Sequence, residues 1–351
     1  MSNDDNRTFR GRLLKVAGPL LFYSGIYEWL RKRNSKEKGV ILTYHRISNY
    51  TDEENRGVFH SKFETGITKK LFEIQMRYIK EKMCPISLQE MVRLIRKGEK
   101  IPDHAVAVTF DDGYHDVYEN AFPILKKYQI PATIFILPQN ISSTNILWWD
   151  KLTELLRRTS KKSLELRKIW SRIDGHLDFT KNFKLTSNRE KSMVMSFLNE
   201  CLMNMPQEKV ALGMELLQEE LEVEEGNIEK AHVMLTWEQV IEMNRWGISM
   251  EAHTLSHPNL TTMEPDKLWK ELVESRRMIQ DKTNTKVVGF AYPYGFYDDR
   301  VVEMVMRSGF EYAVTSDIGV VTRESNPHCL NRINVPQRLF PLYIHALKKP
   351  V

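Results

Sequence analysis

The chain has 351 residues, of which 42% are hydrophobic and 28% are charged, a composition typical of a soluble globular protein. This length accommodates one large barrel with an insertion, or two domains. The net charge of +5 is mild and no segment resembles a nucleic-acid-binding module, so nucleic acid is not an expected partner. The 3 widely spaced cysteines argue against a disulfide framework and a thiolate metal site, and they fit a reducing compartment.

The N-terminal segment, residues 1–38, is apolar-rich between positions 13 and 30, but Lys15, Pro19 and Glu28 interrupt that stretch. These residues argue against a membrane-spanning helix, and no Ala-x-Ala cleavage site follows. We expect the segment either to pack as a helix on the barrel or to lie on an anionic membrane surface. The expected localisation is the cytoplasm, either free or peripheral at the inner face of the membrane.

Two predicted strands are followed directly by residues with acid–base chemistry. Residues 40–44 form an apolar, β-branched run that ends at His45, and residues 105–110 form another that ends at Asp111 and Asp112. Continuous apolar runs are typical of strands buried on both faces of a parallel sheet. The polar groups therefore lie at C-terminal strand ends, where α/β folds place their chemistry.

The composition changes between residues 141 and 231, which combine helical apolar spacing with many charges and little Gly or Pro. This pattern predicts a mostly helical insertion after a strand at 132–137. Insertions at that end of a strand overhang the active site. Trp148 and Trp149 either stack on a sugar ring or pack in the core of the insertion.

A further predicted strand, residues 247–252, ends at His253, and His257 follows four positions later. Pro258 disfavours helical geometry at His257, so the two histidines are expected in a turn. Each motif alone has a simpler explanation, because Asp-Asp-Gly is typical of turns and a lone His pair is typical of surface or capping chemistry. Together, two imidazoles and two carboxylates indicate a divalent-metal site. Three ligands leave a position for water, and the remaining carboxylate is a natural general base.

Three motifs in this order resemble those of the NodB-homology polysaccharide deacetylases, carbohydrate esterase family four. They are Thr-Phe-Asp-Asp-Gly at 109–113, His-Thr-Leu-Ser-His-Pro at 253–258 and Phe-Ala-Tyr-Pro-Tyr-Gly at 290–295. The resemblance covers about residues 39–140 and 232–336 and implies an α/β fold, a distorted (β/α) barrel with fewer than eight strands. The predicted division begins with an N-terminal helical segment at 1–38 and the first part of the barrel at 39–140. A helical insertion at 141–231, the second part of the barrel at 232–340 and a tail at 341–351 follow.

The resemblance also implies roles for individual residues. Asp112, His253 and His257 bind one divalent ion, zinc by preference, with cobalt or nickel as alternatives. Asp111 is the general base that activates the metal-bound water. The backbone N–H of Tyr294 helps to hold the tetrahedral oxyanion.

Two features depart from the family pattern. Ala291 stands where the family carries an arginine that positions the catalytic aspartate. Arg332, in a predicted strand at 329–335, is either the substitute for that arginine or an ordinary surface or interface residue. The C-terminal Leu-x-His motif, the usual source of the general acid, is not evident, and His345 lies near the tail without the pattern.

His45 is the candidate for the missing acid. A histidine at this place resembles the subgroup that deacetylates poly-N-acetylglucosamine, in which a Tyr-His pair opens the domain. His45 would then protonate the leaving amine. The alternative is a capping or buried histidine, and His345 is the next candidate for the acid.

The predicted function is a metal-dependent hydrolase that removes N-acetyl groups from the amino sugars of a polysaccharide, oligosaccharide or lipid-linked glycan. Such an enzyme belongs to exopolysaccharide or cell-envelope glycan biosynthesis. One alternative keeps the site but cleaves an O-acetyl ester or another small amide. The other is an inactive barrel that binds carbohydrate. The intact Asp and His residues count against that second alternative, while Ala291 and the missing terminal motif leave it open.

Overall fold

The computed structural model describes residues 37–49, 66–144, 146–173, 182–224 and 234–335. Most of the predicted N-terminal segment, the whole predicted tail and His345 lie outside these ranges. Within the described ranges, no helix combines the length and apolarity that crossing a membrane requires.

The described strands include one large parallel set and two short pairs. Numbered in chain order, they are β1 Val40–Tyr44, β2 Ile47–Ser48, β3 Ile67–Thr68, β4 Cys84–Pro85, β5 Ala105–Phe110, β6 Ala132–Ile136, β7 Ser163–Glu165, β8 Asn182–Lys184, β9 Ser249–Ala252, β10 Gly289–Ala291, β11 Tyr312–Ile318 and β12 Leu330–Asn334. The order of the large sheet is β1-β12-β11-β10-β9-β6-β5, and β1 also pairs with β5 along its whole length. That last pairing closes a barrel of seven parallel strands, so the predicted distorted (β/α) barrel is confirmed. β4 pairs with the first residues of β5, beside the barrel.

The described α-helices surround the barrel or form the segment between β6 and β9. They are α1 Lys69–Lys82, α2 Leu88–Arg96, α3 Phe122–Tyr128, α4 Trp148–Arg158, α5 Leu166–Ile173, α6 Asn188–Met203, α7 Gln207–Glu220, α8 Trp237–Arg245, α9 Pro265–Thr283 and α10 Asp299–Arg307. A π-helical turn, Val117–Ala121, precedes α3, so the segment 117–128 is helical with an irregular first half.

Alternate residues of the strands face opposite sides of the barrel wall. Ile41, Ala107 and Leu330 share one apolar cluster, while their neighbours Leu42 and Val108 belong to another that includes the outer helices. Because successive side chains of a strand point to opposite faces, odd positions of β1 and β5 face the interior. The same alternation sends residues just beyond these strands toward the top of the barrel interior.

The segment between β6 and β9 has its own apolar cluster. Helices α4 to α7 supply most of it, with Trp170 and Leu217 fully buried, and the antiparallel pair β7–β8 lies beside them. Tyr114, Leu137 and Met234 from the barrel top belong to the same cluster. The helical segment is therefore packed on the C-terminal end of the barrel strands, where the site residues lie.

Candidate active site

The strand ends bring most of the predicted site residues to one cavity of about 510 Å³. Its walls include His45, Asp111, Asp112, His253, His257 and Tyr294. Parallel strands that close a barrel present all their C-terminal ends at one rim, which explains how residues far apart in sequence meet there.

Asp112, His253 and His257 form a compact set of metal-ligand atoms. The Oδ1 atom of Asp112 lies 3.6 Å from Nε2 of His253 and 3.6 Å from Nε2 of His257. In a tetrahedral zinc site with bonds of about 2.0–2.1 Å, neighbouring ligand atoms lie about 3.3 Å apart. All three residues are buried, and their ligand atoms lie within 4.8 Å of one another. The donor types and spacings fit a single divalent ion.

Both imidazoles are held in forms suited to ligation. Nδ1 of His253 lies 2.7 Å from the carbonyl oxygen of Ala291, so Nδ1 carries the proton and donates it to that oxygen. Nε2 then has a free lone pair that points toward Asp112. Burial lowers the pKa of His253 to about 4 and that of His257 well below its ordinary value, so both are neutral at pH 7. The His257 ring packs between Trp149 and Tyr294, with centroids at 4.7 and 4.4 Å.

The surroundings of Asp112 disfavour its ionised form in the absence of a nearby cation. Burial raises its pKa well above the ordinary value, and repulsion from Asp111 and Asp150 adds to that shift. A divalent cation reverses such a shift, because it favours the ionised carboxylate. The electrostatics of the set therefore agree with its geometry.

Left-handed backbone conformations cluster around this site. Asp112, Thr254, His257 and Tyr294 have φ values of 72°, 68°, 63° and 58°. Residues with side chains rarely adopt this region, and such strain persists only where surrounding contacts enforce it. The site is thus built from conformations that the local sequence does not favour.

Asp111 is held by Arg332. The guanidinium donates from Nη1 to Oδ1 at 2.8 Å and from Nη2 to Oδ2 at 2.7 Å, and its Nε donates to the carbonyl of Thr315. Burial alone would raise the pKa of Asp111, but the Arg332 charge and its two bonds hold that pKa well below the usual range. Arg332 is 3% exposed, so it is not an ordinary surface arginine.

His45 lies on the open side of Asp111. Its Nε2 is 3.8 Å from Oδ2 of Asp111, and its side chain is 45% exposed. Partial burial lowers the pKa of His45, the Asp111 carboxylate opposes that shift, and Arg332 reinforces it. His45 can therefore reach both the general-base candidate and a molecule that enters the cavity.

Trp148 and Trp149 have different surroundings. Trp149 is buried, packs against His257, and donates from Nε1 to the Tyr114 hydroxyl at 2.9 Å. Trp148 is partly buried, lines the cavity, and donates from Nε1 to the Tyr294 hydroxyl at 2.9 Å. Both rings line the cavity, but Trp149 is buried and packs against His257, whereas Trp148 is the more accessible of the two.

A buried polar network behind the site was not predicted. Arg46 donates from Nε to Asp116 at 2.9 Å, and its guanidinium lies 4.5 Å from the ring centroid of Tyr114. The Tyr114 hydroxyl donates to Asp150 at 2.7 Å. The only sequence signals were the adjacency of Arg46 to His45 and of Asp150 to the Trp pair. The network connects the β1 tip, the Asp111–Asp112 turn and α4.

Comparison with known proteins identifies the family. The polysaccharide deacetylase family model matches residues 98–166 and 215–313, which include the Asp pair, both histidines and Tyr294. The chain contains a polysaccharide deacetylase domain. His45 and Arg332 lie outside the matched residues, so the family model does not bear on their assignments.

Several similar proteins cover most of the length of this chain. A poly-β-1,6-N-acetyl-D-glucosamine N-deacetylase of Staphylococcus aureus is 23% identical over 334 residues, 91% of this chain and 85% of the relative. The Streptococcus pyogenes deacetylase PplD shares the fold with a TM-score of 0.56 and 22% identity, over 89% of this chain and 99% of PplD. IcaB from Ammonifex degensii shares the fold with a TM-score of 0.55 and 18% identity, over 89% of this chain and 97% of IcaB.

Proposed function

We propose that this protein is a metal-dependent N-deacetylase that acts on N-acetylated amino sugars of a glycan. The observation that supports the proposal most directly is that a metal-ligand set and a candidate general base line the same cavity. Asp112, His253 and His257 offer a ligand set, and Asp111 stands beside them as an ionised carboxylate that Arg332 orients. The match to the polysaccharide deacetylase family model supports the reaction class.

Asp112, His253 and His257 would hold one divalent ion, and zinc suits two imidazoles and one carboxylate in a tetrahedral set. Such an ion supplies Lewis acidity to the amide carbonyl and lowers the pKa of the attacking water. Cobalt and nickel are the substitutes that this donor set would also accept.

The other residues of the cavity supply proton transfer and orientation. Asp111 accepts a proton from the water as its oxygen attacks the acetyl carbon, and Arg332 keeps the carboxylate ionised and aimed. The backbone N–H of Tyr294 donates to the oxygen that becomes negative. His45 gives a proton to the amine nitrogen as the C–N bond breaks, which releases acetate and a free amino sugar.

The relatives and the cavity suggest the substrate class. The S. aureus relative is named for poly-β-1,6-N-acetyl-D-glucosamine, and we extend that class, a polymer of N-acetylated hexosamine, to this chain. The cavity of about 510 Å³ lies in the range of small-molecule sites, about 300–1,000 Å³. Trp148 gives this cavity an aromatic wall suited to the C–H face of a sugar.

Product analysis tests the proposal. Zinc-loaded protein is incubated with N-acetylated and O-acetylated oligosaccharides, and both acetate and new primary amines are measured. We expect one amine for each acetate from the N-acetylated glucosamine oligomer, and no release by Asp111→Asn. Acetate release from esters alone would support the O-acetyl esterase alternative. No release from any member of the panel would support a carbohydrate-binding barrel.

A further inference from the structure

A single carboxylate holds the loop that carries both histidines of the site. Glu271, on α9, accepts the backbone N–H of Leu255 at 2.7 Å and that of Ser256 at 3.2 Å through Oε2. Its Oε1 accepts the Ser256 hydroxyl at 2.8 Å. Glu271 is buried, and no atom of it touches the cavity wall. The carboxylate therefore acts on the loop and not on a molecule in the cavity.

The loop needs an external support because its own conformation is unfavourable. Thr254 and His257 both have positive φ, and the His257 N–H donates to the Thr254 hydroxyl oxygen. The intervening N–H groups of Leu255 and Ser256 point away from the cavity toward α9, where Glu271 accepts both. Buried N–H groups without an acceptor would favour a different loop conformation.

The bonds to Glu271 have a consequence at the ligand atoms. His253 remains fixed at the end of β9, because its N–H donates to the carbonyl of Ile136 in the neighbouring strand. The backbone N–H of His257 instead donates within the turn, to the Thr254 hydroxyl, so the backbone position of His257 depends on that turn. On the other side of the turn, the side chain of Gln207 on α7 donates to the Ser256 carbonyl at 3.4 Å and lies 3.1 Å from the Ser256 hydroxyl through Oε1. The His257 ring also packs against Trp149 and Tyr294, but Glu271 accepts both intervening N–H groups and therefore holds the backbone path of the turn.

We infer that Glu271 is a positioning residue that sets the metal affinity of the site by holding the 254–257 turn in its ligating conformation. The inference rests on the proposed ligand set of Asp112, His253 and His257. Loss of a group that orients a metal ligand typically weakens metal binding by about 10–100-fold. The expected defect is in the metal dissociation constant, without loss of the fold.

The test compares Glu271→Ala and Glu271→Gln with wild-type full-length protein, with zinc and cobalt as the probes. Zinc dissociation constants come from competition with a chromogenic chelator, and the visible spectrum of the cobalt form reports the coordination geometry. Glu190→Ala is the matched control. Glu190 also accepts two backbone N–H groups and one hydroxyl, from Thr186 and Ser187, but it does so at the start of α6 in the helical segment.

We expect Glu271→Ala to bind zinc about 10–100-fold more weakly and to change the cobalt spectrum. Glu271→Gln should lie within about threefold of wild type, because its carbonyl oxygen still accepts both N–H groups and its amide can donate to the Ser256 oxygen. Glu190→Ala should match wild type. If Glu271→Ala does not fold, Glu271→Asp, which keeps the charge but is one methylene shorter, should show a weakened and altered site.

Equal zinc affinity and identical cobalt spectra in wild type and Glu271→Ala would overturn the inference while leaving the proposed function intact. Equal loss in the Gln variant would also overturn it, because the role would then lie in charge and not in loop position. A wild-type protein that binds no divalent metal would instead contradict the proposed function, together with this inference.

Discussion

The guanidinium of Arg332 binds both carboxylate oxygens of Asp111, although 221 positions of sequence separate the two residues. Both side chains are buried, at 3% and 4% exposure. At Ala291, where the family pattern carries an arginine, the backbone carbonyl instead accepts Nδ1 of His253. Arg332 of β12 thus binds Asp111. In the family pattern, an arginine at the position of Ala291 is expected to do so.

Replacement of Arg332 tests this relationship. Arg332→Ala leaves Asp111 as a buried charge without its partner, which typically costs about 3–5 kcal/mol of stability. Because Arg332 holds the pKa of Asp111 down, its loss raises that pKa and moves the acid limb of the rate–pH profile to higher pH. Thermal unfolding and kcat/KM between pH 4 and pH 9 measure the two effects.

A surface pair provides the control for Arg332. Arg93 makes the same two-point contact with Glu90, but both side chains are more than 40% exposed. Arg93→Ala should leave both the stability and the pH profile close to wild type. An Arg332→Ala enzyme with an unchanged acid limb would show that the pair does not govern the protonation of the base.

The two aspartates should separate by metal content. Asp112→Asn should lose metal because it removes a ligand, whereas Asp111→Asn should keep metal and lose about 10²–10⁴ in rate because it removes only the base. Metal content by mass spectrometry and acetate release by enzymatic assay give the two readouts. Equal metal loss in both variants would contradict the division of roles.

His45 should act as an acid on amides and matter little for activated esters. Its rate contribution requires the protonated form, so kcat/KM should fall as pH rises through the pKa of His45. That pKa is lowered, chiefly by partial burial, so the alkaline limb should lie below the ordinary histidine value of about 6.5. His45→Ala should bind metal normally, lose amide hydrolysis and the alkaline limb, and retain most hydrolysis of an aryl acetate.

The His45 assignment has a clear limit. An amide rate within about twofold of wild type in His45→Ala is far less than the 10²–10⁴ expected of a positioned acid. That result would direct attention to His345, which lies outside the described residues.

Trp148 should contribute to binding and not to chemistry. Trp148→Phe keeps an aromatic surface but loses the bond to the Tyr294 hydroxyl, and Trp148→Ala loses both. If the ring supports a sugar, Trp148→Ala should raise KM for the oligosaccharide by about tenfold, equivalent to about 1.4 kcal/mol, with kcat nearly unchanged. Trp246→Ala, at an exposed tryptophan packed against Phe122, is the matched control. A fall in kcat without a change in KM would contradict a sugar-supporting role.

The sequence allowed the barrel and the convergence of the Asp and His motifs to be predicted because each motif directly follows an apolar run. Because parallel strands in a barrel place their C-terminal ends at one rim, residues that directly follow such strands are expected to converge there. Arg332 could be named only as a candidate, but strand alternation carries a signal for it, since Leu330 two positions earlier faces the barrel interior.

Glu271 and Asp150 could not be found in the same way. Both lie within helices, and Glu271 shares the buried face of its helix with Leu268 and Leu272, although a glutamate or aspartate is usually exposed. Their partners come from segments outside those helices. A helical pattern shows which residues share a face, but it does not show which turn of another segment will pack on that face. Their contacts depend on tertiary packing that local periodicity does not encode.

The most direct test of whether His253 and His257 hold a metal that deacetylation needs is metal occupancy measured together with acetate release. Both are measured in wild type and in the double variant His253→Ala/His257→Ala. We predict one zinc per wild-type chain, loss of acetate release from N-acetylated glucosamine oligomers after chelation, and recovery when zinc is added back. The double variant should neither hold zinc nor release acetate. A double variant with full zinc occupancy and wild-type acetate release would contradict the assignment of this site.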